Sequence, residues 1–128
     1  MKALLDTHVF LWWLAQPERL SEHALDILGD RSRELYFSAA SAWEIAIKVK
    51  LGKLLLPDSP SRVIPRQLEL EGIETLPVQL SHALHTYTLP PHHRDPFDRL
   101  LVAQAQLEKL PILTSDPVIA LYGVQILW

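Results

Sequence analysis

Short apolar runs alternate along the chain with longer segments in which apolar residues recur every three or four positions. The short runs predict buried strands, and the longer segments predict helices. The predicted strands lie at 3–5, 35–37, 73–78, 112–114 and 124–127. The predicted helices lie at 7–15, 21–28, 41–52, 59–70, 81–87 and 95–108. Serine, aspartate, proline and glycine at the segment ends support these boundaries, because they are common helix caps and stops.

Alternation of this kind predicts an α/β protein with a parallel sheet that helices cover on both faces. The chain has 128 residues, which corresponds to one domain, and no internal repeat or linker-like stretch divides it. Ligands of open parallel sheets bind beyond the carboxyl ends of the strands. Residues that follow the predicted strands are therefore the first candidates for a functional site.

Composition limits the classes of function. Cysteine is absent, which excludes disulfides, thiolate zinc sites and cysteine nucleophiles and fits a reducing cytoplasm. The chain reaches Asp6 before a signal-type apolar segment develops, and prolines and histidines interrupt the longest uncharged run, 75–93. We therefore expect a cytoplasmic protein with no membrane segment. The net charge of −3 argues against a simple electrostatic nucleic-acid binder.

Four acidic residues stand at or near the ends of predicted strands. Asp6 directly follows the first strand, and Asp116 follows the fourth with one residue between. Glu44 and Asp98 lie in the first turns of predicted helices. Carboxylates that converge at one sheet edge stay ionised only beside a cation, and oxygen ligands without cysteine favour Mg²⁺ or Mn²⁺. Such an ion activates water and stabilises the charge that builds up on a phosphoryl group.

Three of these acids also have a purely structural interpretation as caps or turn residues. Ser41 and Glu44 form the S-x-x-E pattern of a helix capping box. Asp6 can cap the helix that begins after it, and Asp116 precedes a proline, which is a common turn pair. Spacing alone leaves the structural and the functional interpretation open for each of them.

Asp98 has both interpretations as well. Asp95 caps its helix, and an acid three residues later complements the helix dipole. However, Asp98 and Glu44 each share a helical face with apolar residues. An acid at the head of an apolar stripe points towards the edge of the core, where its charge needs a partner. This placement favours a functional role.

Five stretches of the chain resemble the PIN-domain ribonucleases, in particular the VapC-type toxins of bacterial and archaeal toxin–antitoxin pairs. They are LLDTHVFLWWL (4–14), SAASAWEIAIKVKLGKL (38–54), HHRDPFDRLLVAQA (92–105), LTSDP (113–117) and YGVQILW (122–128). The resemblance covers nearly the whole chain. It implies a single PIN-like domain over 1–128, which is a three-layer α/β/α sandwich with a parallel sheet of about five strands.

The same resemblance implies the roles of the acids and the partners of the protein. It identifies Asp6, Glu44, Asp98 and Asp116 as the four acids of the family. Asp6 and Asp98 are then the direct ligands of Mg²⁺ or Mn²⁺, and Glu44 and Asp116 are secondary. It further implies an RNA substrate, a cognate antitoxin and a homodimer.

Three residues near the acids are candidates for contacts with the substrate. They are Thr114, Arg99 and Lys48; a solvated helix face is the alternative for the two basic residues. Ser115 departs from the family pattern, where a basic or amide residue is expected. The pair His92–His93 is interpreted as part of a solvated loop, because adjacent residues rarely reach one ion, and His8 as a packing or helix-start residue.

The first predicted helix is unusually apolar for its length. It contains Phe10, Trp12, Trp13 and Leu14, and a small sheet cannot cover all its faces. We expect part of it to form a protein interface, with packing in the core as the alternative.

Three functions remain in view from the sequence. The leading hypothesis is a metal-dependent endoribonuclease, and the RNA substrate and toxin role in it come from the resemblance. The second is an inactive PIN-like binding module whose acids are helix caps. The third is a phosphatase-like hydrolase with Asp6 as nucleophile, but position 8 is histidine rather than the second aspartate that such enzymes use. If four acids form a metal site, the remaining residues carry a net charge of +1, which removes the objection to RNA.

Overall fold

Five parallel strands form the centre of the computed structural model, which describes residues 1–128. The strands are β1 (Lys2–Leu5), β2 (Glu34–Ser38), β3 (Glu74–Leu76), β4 (Ile112–Leu113) and β5 (Ile126–Leu127). Their order across the sheet is β3-β2-β1-β4-β5, and every neighbouring pair is parallel. The predicted parallel sheet of five strands is confirmed.

Six α-helices and three short 3₁₀ helices connect the strands. The α-helices are α1 (Thr7–Ala15), α2 (Glu22–Gly29), α3 (Ala39–Lys50), α4 (Pro60–Glu71), α5 (Leu80–His85) and α6 (Pro96–Glu108). The 3₁₀ helices are Pro17–Arg19, Thr86–Thr88 and Pro117–Tyr122. None of the helices has the length and apolar character that a membrane span requires.

The two faces of the sheet belong to separate apolar cores. Ala3 and Leu5 of β1 face a core that includes residues of α1, α2, α3 and α4. Leu4 faces the opposite core, which is built largely on α6. Successive residues of a strand point to opposite faces, so an uninterrupted apolar strand needs cover on both sides. Helices on both faces make the three-layer α/β/α sandwich that the sequence predicted.

Helix α3 corrects one predicted boundary. The helix begins at Ala39 and not at Ser41, because the Ser38 side chain caps it by accepting the N–H of Ala40. Ser41 is buried inside the helix, where its hydroxyl accepts a hydrogen bond from Thr7 at 2.8 Å. The predicted capping box of Ser41 and Glu44 is therefore wrong.

Helix α3 and its C-cap leave two large apolar side chains at the surface. Trp43 and Leu51 are each 62% exposed. Ile45 and Glu44 point inward instead. Trp43 packs on the surface against Phe97, with the ring centroids 5.3 Å apart and edge to face.

Helix α1 divides its apolar residues between the core and the surface. Phe10 is fully buried and lies 4.4 Å from Phe37 between ring centroids. Trp12 and Trp13 are only half-buried, and Trp12 meets Trp128 edge to face at 6.1 Å. The core therefore accounts for Phe10, whereas part of each tryptophan stays open to solvent.

The strand order changes direction at β1. The chain proceeds from β1 to β2 and β3 on one side and then crosses to β4 and β5 on the other. The connections that leave β1 and β4 therefore diverge, and a crevice opens at their carboxyl ends. Asp6 and Asp116 lie at these two ends.

Candidate active site

A cavity of about 440 Å³ occupies the crevice at the carboxyl ends of β1 and β4. Three acids line it: Asp6, Asp98 and Asp116. The other lining residues are His8, Trp12, Arg19 and Ser115. Three of the four acids that the sequence singled out therefore share one cavity, although they are up to 110 residues apart in the chain.

Asp6 is held by one group from α1 and one from the residue that follows β4. Its Oδ1 accepts the N–H of His8 at 3.4 Å, which caps α1, and its Oδ2 accepts the hydroxyl of Thr114 at 2.6 Å. The same hydroxyl accepts the N–H of Asp116 at 3.0 Å. Thr114 thus ties the end of β1 to the end of β4 and fixes the carboxylate of Asp6.

Thr114 is fully buried, and its hydroxyl both donates and accepts a hydrogen bond. The contact with substrate expected from the sequence would require exposed surface, which Thr114 lacks. Its two hydrogen bonds are consistent with a positioning role for Asp6 beneath the cavity. Sequence alone could not show this, because exposure depends on the packing around β4.

Asp98 lies in the first turn of α6, behind Asp95, which caps the helix by accepting the N–H of Phe97 at 2.8 Å. Burial, followed by the charges of Asp95, Asp6 and Glu44, raises the pKa of Asp98 to about 6, against the opposite effect of His93. No hydrogen bond from the chain stabilises the ionised form. Asp98 is therefore a carboxylate in need of a positive partner.

Glu44 lies behind the cavity and not in its lining. The residue is buried, and its Oε2 accepts a hydrogen bond from the ammonium of Lys48 at 2.8 Å. This hydrogen bond raises the pKa of Lys48, against the effect of its partial burial, and the charges of Asp95 and Asp98 act in the same direction as the bond. Lys48 therefore neutralises the charge of Glu44 and lies within electrostatic reach of Asp95 and Asp98.

Asp116 has a different partner on each oxygen. Its Oδ1 accepts the N–H of Val118 at 3.0 Å and so caps the 3₁₀ helix Pro117–Tyr122. Its Oδ2 lies 2.8 Å from Nε2 of His93. The interpretation of His93 as a solvated loop residue is wrong, since only 11% of its side chain is exposed. His92, its neighbour in sequence, is exposed.

The contact between His93 and Asp116 is the site feature that sequence reasoning missed. The histidine pair and the acid were both noted, but they stand 23 residues apart and on different elements. Only the packing of the loop before α6 against the end of β4 brings them together. The single sequence signal was the position of His93 two residues before the cap of α6.

Arg99 forms hydrogen bonds with the backbone of the loop before α6. Its guanidinium donates to the carbonyl oxygens of Thr86, Leu89, Pro90 and His93 at 2.9 to 3.3 Å. These four bonds occupy both terminal nitrogens. The geometry favours a role in holding this loop over the contact with substrate expected from the sequence, whereas Lys48, with 36% of its side chain exposed, remains a candidate for such a contact.

The donor set suits a hard cation that keeps part of its water shell. No three His, Cys, Asp or Glu side chains come close enough to hold a metal ion by themselves. Mg²⁺ commonly binds through one or two carboxylates and fills its remaining positions with water. Asp6 and Asp98 share one cavity whose lining contains three carboxylates and a single guanidinium, that of Arg19, which matches that requirement.

A second cavity, of about 590 Å³, adjoins the first and shares His8, Trp12 and Arg19 with it. Its walls are mostly apolar and come from the outer side of α1 and from the segment after α3. The Arg19 guanidinium lies 4.5 Å above the ring centroid of Trp12 at the border of the two cavities. We call this second cavity the apolar groove.

Comparison with known proteins agrees with this fold. The structure is a three-layer α/β domain with acids gathered where the strand order reverses. The PIN domain family model matches residues 3–124. The chain belongs to the PIN domain family. Within it, the chain is a homologue of VapC ribonucleases, as two relatives show.

Both relatives come from Mycobacterium tuberculosis. Ribonuclease VapC22 is 33% identical over 114 residues, which are 88% of this chain and 85% of that protein. Ribonuclease VapC16 is 39% identical over 59 residues, which are 46% of this chain and only 42% of that protein. The match to VapC22 thus extends over most of both chains.

The fold also matches that of solved toxin–antitoxin complexes. The crystal structure of VapBC2 from Rickettsia felis, bound to a DNA fragment from their promoter, superposes with a TM-score of 0.74. The match covers 99% of this chain and 98% of that chain at 11% identity. Such a low identity establishes the shared fold.

Proposed function

We propose that this protein is a Mg²⁺- or Mn²⁺-dependent endoribonuclease that acts as the toxin of a toxin–antitoxin pair in the cytoplasm. The observation that carries the proposal is the cavity in which Asp6, Asp98 and Asp116 meet at the switch point of the sheet. Homology to ribonuclease VapC22 supports RNA as the substrate. PIN-domain nucleases generally use divalent metals, which fits the acidic lining.

In this proposal Asp6 and Asp98 would hold the ion. When bound, a divalent cation lowers the pKa of a coordinated water and stabilises the charge that develops on the phosphoryl oxygens. Thr114 keeps Asp6 oriented through its 2.6 Å hydrogen bond. Lys48 and Arg19 place positive charge near the acids, where the phosphates of an RNA strand would approach.

The alternative of an inactive module with capping acids accounts for only part of the arrangement. Asp6 and Asp116 do cap helices, each through one oxygen, but the other oxygen of each has a separate partner from a distant part of the chain. Asp98 caps nothing, and burial raises its pKa. An acid kept in this environment for structure alone would only destabilise the fold.

A cleavage assay tests the activity. Purified protein should cut RNA in Mg²⁺ or Mn²⁺ and stop in excess chelator, and Asp6→Asn and Asp98→Asn should each reduce the rate at least about a hundredfold. Asp26→Asn, at an exposed position of α2, is the matched control and should cleave like wild type. Undiminished cleavage by Asp6→Asn, or in chelator, would contradict the mechanism.

We further propose that the apolar groove receives a segment of the antitoxin. The groove adjoins the acidic cavity, and its walls include Leu11, Leu14 and residues 54–56. Leu55 is 91% exposed, so its side chain contributes little to the fold of the isolated chain. Leu55→Glu should weaken co-purification with the antitoxin and leave RNA cleavage unchanged. Full retention of the complex in this variant would place the partner elsewhere.

A homodimer is also part of the proposal. Trp43 on α3 and Leu51 at its C-cap are exposed apolar residues that the core does not use. Light scattering of wild type and Trp43→Glu should show a dimer and a shift towards monomer, respectively. A monomeric wild-type protein at micromolar concentration would contradict this point.

A further inference from the structure

Three groups form one hydrogen-bonded chain at the side of the acidic cavity. Asp116 Oδ2 lies 2.8 Å from His93 Nε2, and His93 Nδ1 lies 2.9 Å from the hydroxyl of Tyr122. The His93 ring stacks on the Tyr122 ring at an angle of 16°, with the centroids 5.5 Å apart. Tyr122 is buried, and His93 nearly so.

The backbone of His93 is held as firmly as its side chain. Its N–H donates to the Tyr122 hydroxyl at 2.8 Å, and its carbonyl accepts from the Arg99 guanidinium at 3.3 Å. Both the backbone position of His93 and the orientation of its imidazole ring are therefore fixed. A side chain positioned at both ends in this way can in turn position whatever it contacts.

Donor and acceptor accounting assigns the tautomer of His93. An ionised carboxylate only accepts hydrogen bonds, so His93 Nε2 must carry the proton that points to Asp116. In the neutral imidazole, Nδ1 is then an acceptor and receives the hydrogen of the Tyr122 hydroxyl. The Tyr122 oxygen keeps a lone pair for the N–H of His93. This one arrangement of protons satisfies all the hydrogen bonds that join Asp116, His93 and Tyr122.

We propose that His93 and Tyr122 are positioning residues that aim the Asp116 carboxylate into the cavity. The inference rests on the proposed function, because Asp116 matters as an oxygen ligand only if a cation binds there. Val118 holds one oxygen of Asp116 and His93 holds the other, so the plane of the carboxylate is fixed. The remaining lone pairs are free for a cation or for water bound to it.

The first test addresses the hydrogen-bonded chain in the metal-free protein. Long-range ¹H–¹⁵N NMR correlations of the imidazole should show His93 as the Nε2–H tautomer at a pH where it is neutral. In Tyr122→Phe, which keeps the stacked ring and loses the hydroxyl, the Nε2–H tautomer should persist because Asp116 still accepts that hydrogen, and the Nδ1 resonance should shift because its hydrogen bond is lost. An Nδ1–H tautomer in wild type would overturn the assignment, whatever the activity of the protein.

The second test measures Mn²⁺ affinity by calorimetry. His93→Ala should weaken binding about tenfold, a typical effect for a group that orients a metal ligand. His93→Gln should retain most of the affinity, because its amide N–H reaches about as far as Nε2 and can still donate to Asp116. His23→Ala, at an exposed position of α2, is the matched control and should bind like wild type.

A double-mutant cycle separates positioning from a general effect on the fold. If His93 acts through Asp116, His93→Ala should change Mn²⁺ affinity by less than about twofold when Asp116 is already Asn. An equal loss in both backgrounds, or no loss in either, would overturn the proposal. Failure of wild type to bind Mn²⁺ at all would instead overturn the proposed function, and the NMR result would still decide the hydrogen-bonded chain.

Discussion

At the scale of single residues, each acid of the cavity differs from the others in what surrounds it. Asp6 and Asp116 accept hydrogen bonds on both oxygens, whereas Asp98 has no such support and is surrounded by other carboxylates. Hydrogen bonds favour the ionised form of an acid, and burial beside like charges disfavours it. Asp98 is therefore the acid whose ionisation depends most on a cation.

Asp98→Asn should stabilise the metal-free protein at high pH. The pKa of Asp98 in the fold is about 6 against an ordinary 3.8, so this group costs stability as pH rises through that interval. At pH 8 the variant should exceed wild type by about 1 kcal/mol, a value reduced for solvent screening at this half-buried site. Urea denaturation in chelator at pH 8 and below pH 4 measures the effect, which should vanish at the lower pH.

The control for this experiment is Asp26→Asn, on the exposed side of α2. It removes the same charge from the surface and should leave stability within about 0.5 kcal/mol of wild type at both pH values. A destabilised Asp98→Asn variant at pH 8 would show that repulsion and burial do not govern this acid.

Thr114 offers a second test at the residue scale. Thr114→Val preserves the shape of the side chain but deprives Asp6 of a donor and the N–H of Asp116 of an acceptor. We expect a loss of about 2 kcal/mol in the free energy of unfolding, since buried polar groups are left unpaired. The rise in Tm caused by Mn²⁺ should also shrink. Thr114→Ser keeps the hydroxyl and should retain that rise, and a Val variant that matches wild type in both respects would refute the positioning role.

At the scale of elements, two arginines, Arg33 buried and Arg99 half-buried, bind backbone carbonyl oxygens near the ends of helices. Arg33 donates to the carbonyl oxygens of Ile27 and Leu28 at the end of α2, while Arg99 holds the loop before α6 through four carbonyls. Desolvation lowers the pKa of Arg33, although the guanidinium stays charged. The planar guanidinium suits this task, because its donors reach several acceptors at once.

Arg99→Lys should loosen the loop at 86–93 and leave the rest of the fold intact. A lysine ammonium cannot reach four carbonyl oxygens in the directions that Arg99 serves, so about 2 kcal/mol of local stability should disappear. Hydrogen exchange should then accelerate for the amides of this loop, including that of His93, and stay unchanged in β1. Arg94→Lys, at an exposed position of the same loop region, is the control. Equal exchange in all three proteins would contradict this role.

At the scale of the whole molecule, the site lies on the seam between the two cores. Strand β1 sends Leu4 to one core and Leu5 to the other, and its next residue is Asp6. The strand is central in the sheet, with β2 and β4 as its neighbours. The position of Asp6 is therefore fixed by both helical layers at once, which suits a site that must hold its geometry.

A leucine-to-alanine substitution at a buried and at an exposed position measures how much β1 contributes to the free energy of unfolding. Leu5→Ala should lower the free energy of unfolding by about 3 kcal/mol, because Leu5 is fully buried and the cavity left behind cannot collapse. Leu55→Ala makes the same chemical change at a residue that is 91% exposed and should cost less than about 0.5 kcal/mol. Urea denaturation compares the two, and similar losses would contradict the assignment of the core.

Much of the fold follows from local sequence signals. Apolar runs such as Ala3–Leu5 and the cap–proline pair Asp95–Pro96 depend on nearest neighbours, and the structure confirms them as β1 and the start of α6. The start of α3 was wrong, since Ser38 and Ser41 are both able caps. Only the burial of Ser41 against Thr7 decides between them.

The candidate site also depends partly on local sequence and partly on tertiary packing. The sequence by itself determined which acids follow the strands, and parallel topology then brings Asp6 and Asp116 to one edge. Tertiary packing alone decided that Thr114 lies beneath Asp6 and that His93 reaches Asp116. Such contacts join residues 23 and 108 positions apart, and their geometry depends on how layers pack around the sheet. The local periodicity of the sequence contains no information about contacts between residues so far apart in the chain.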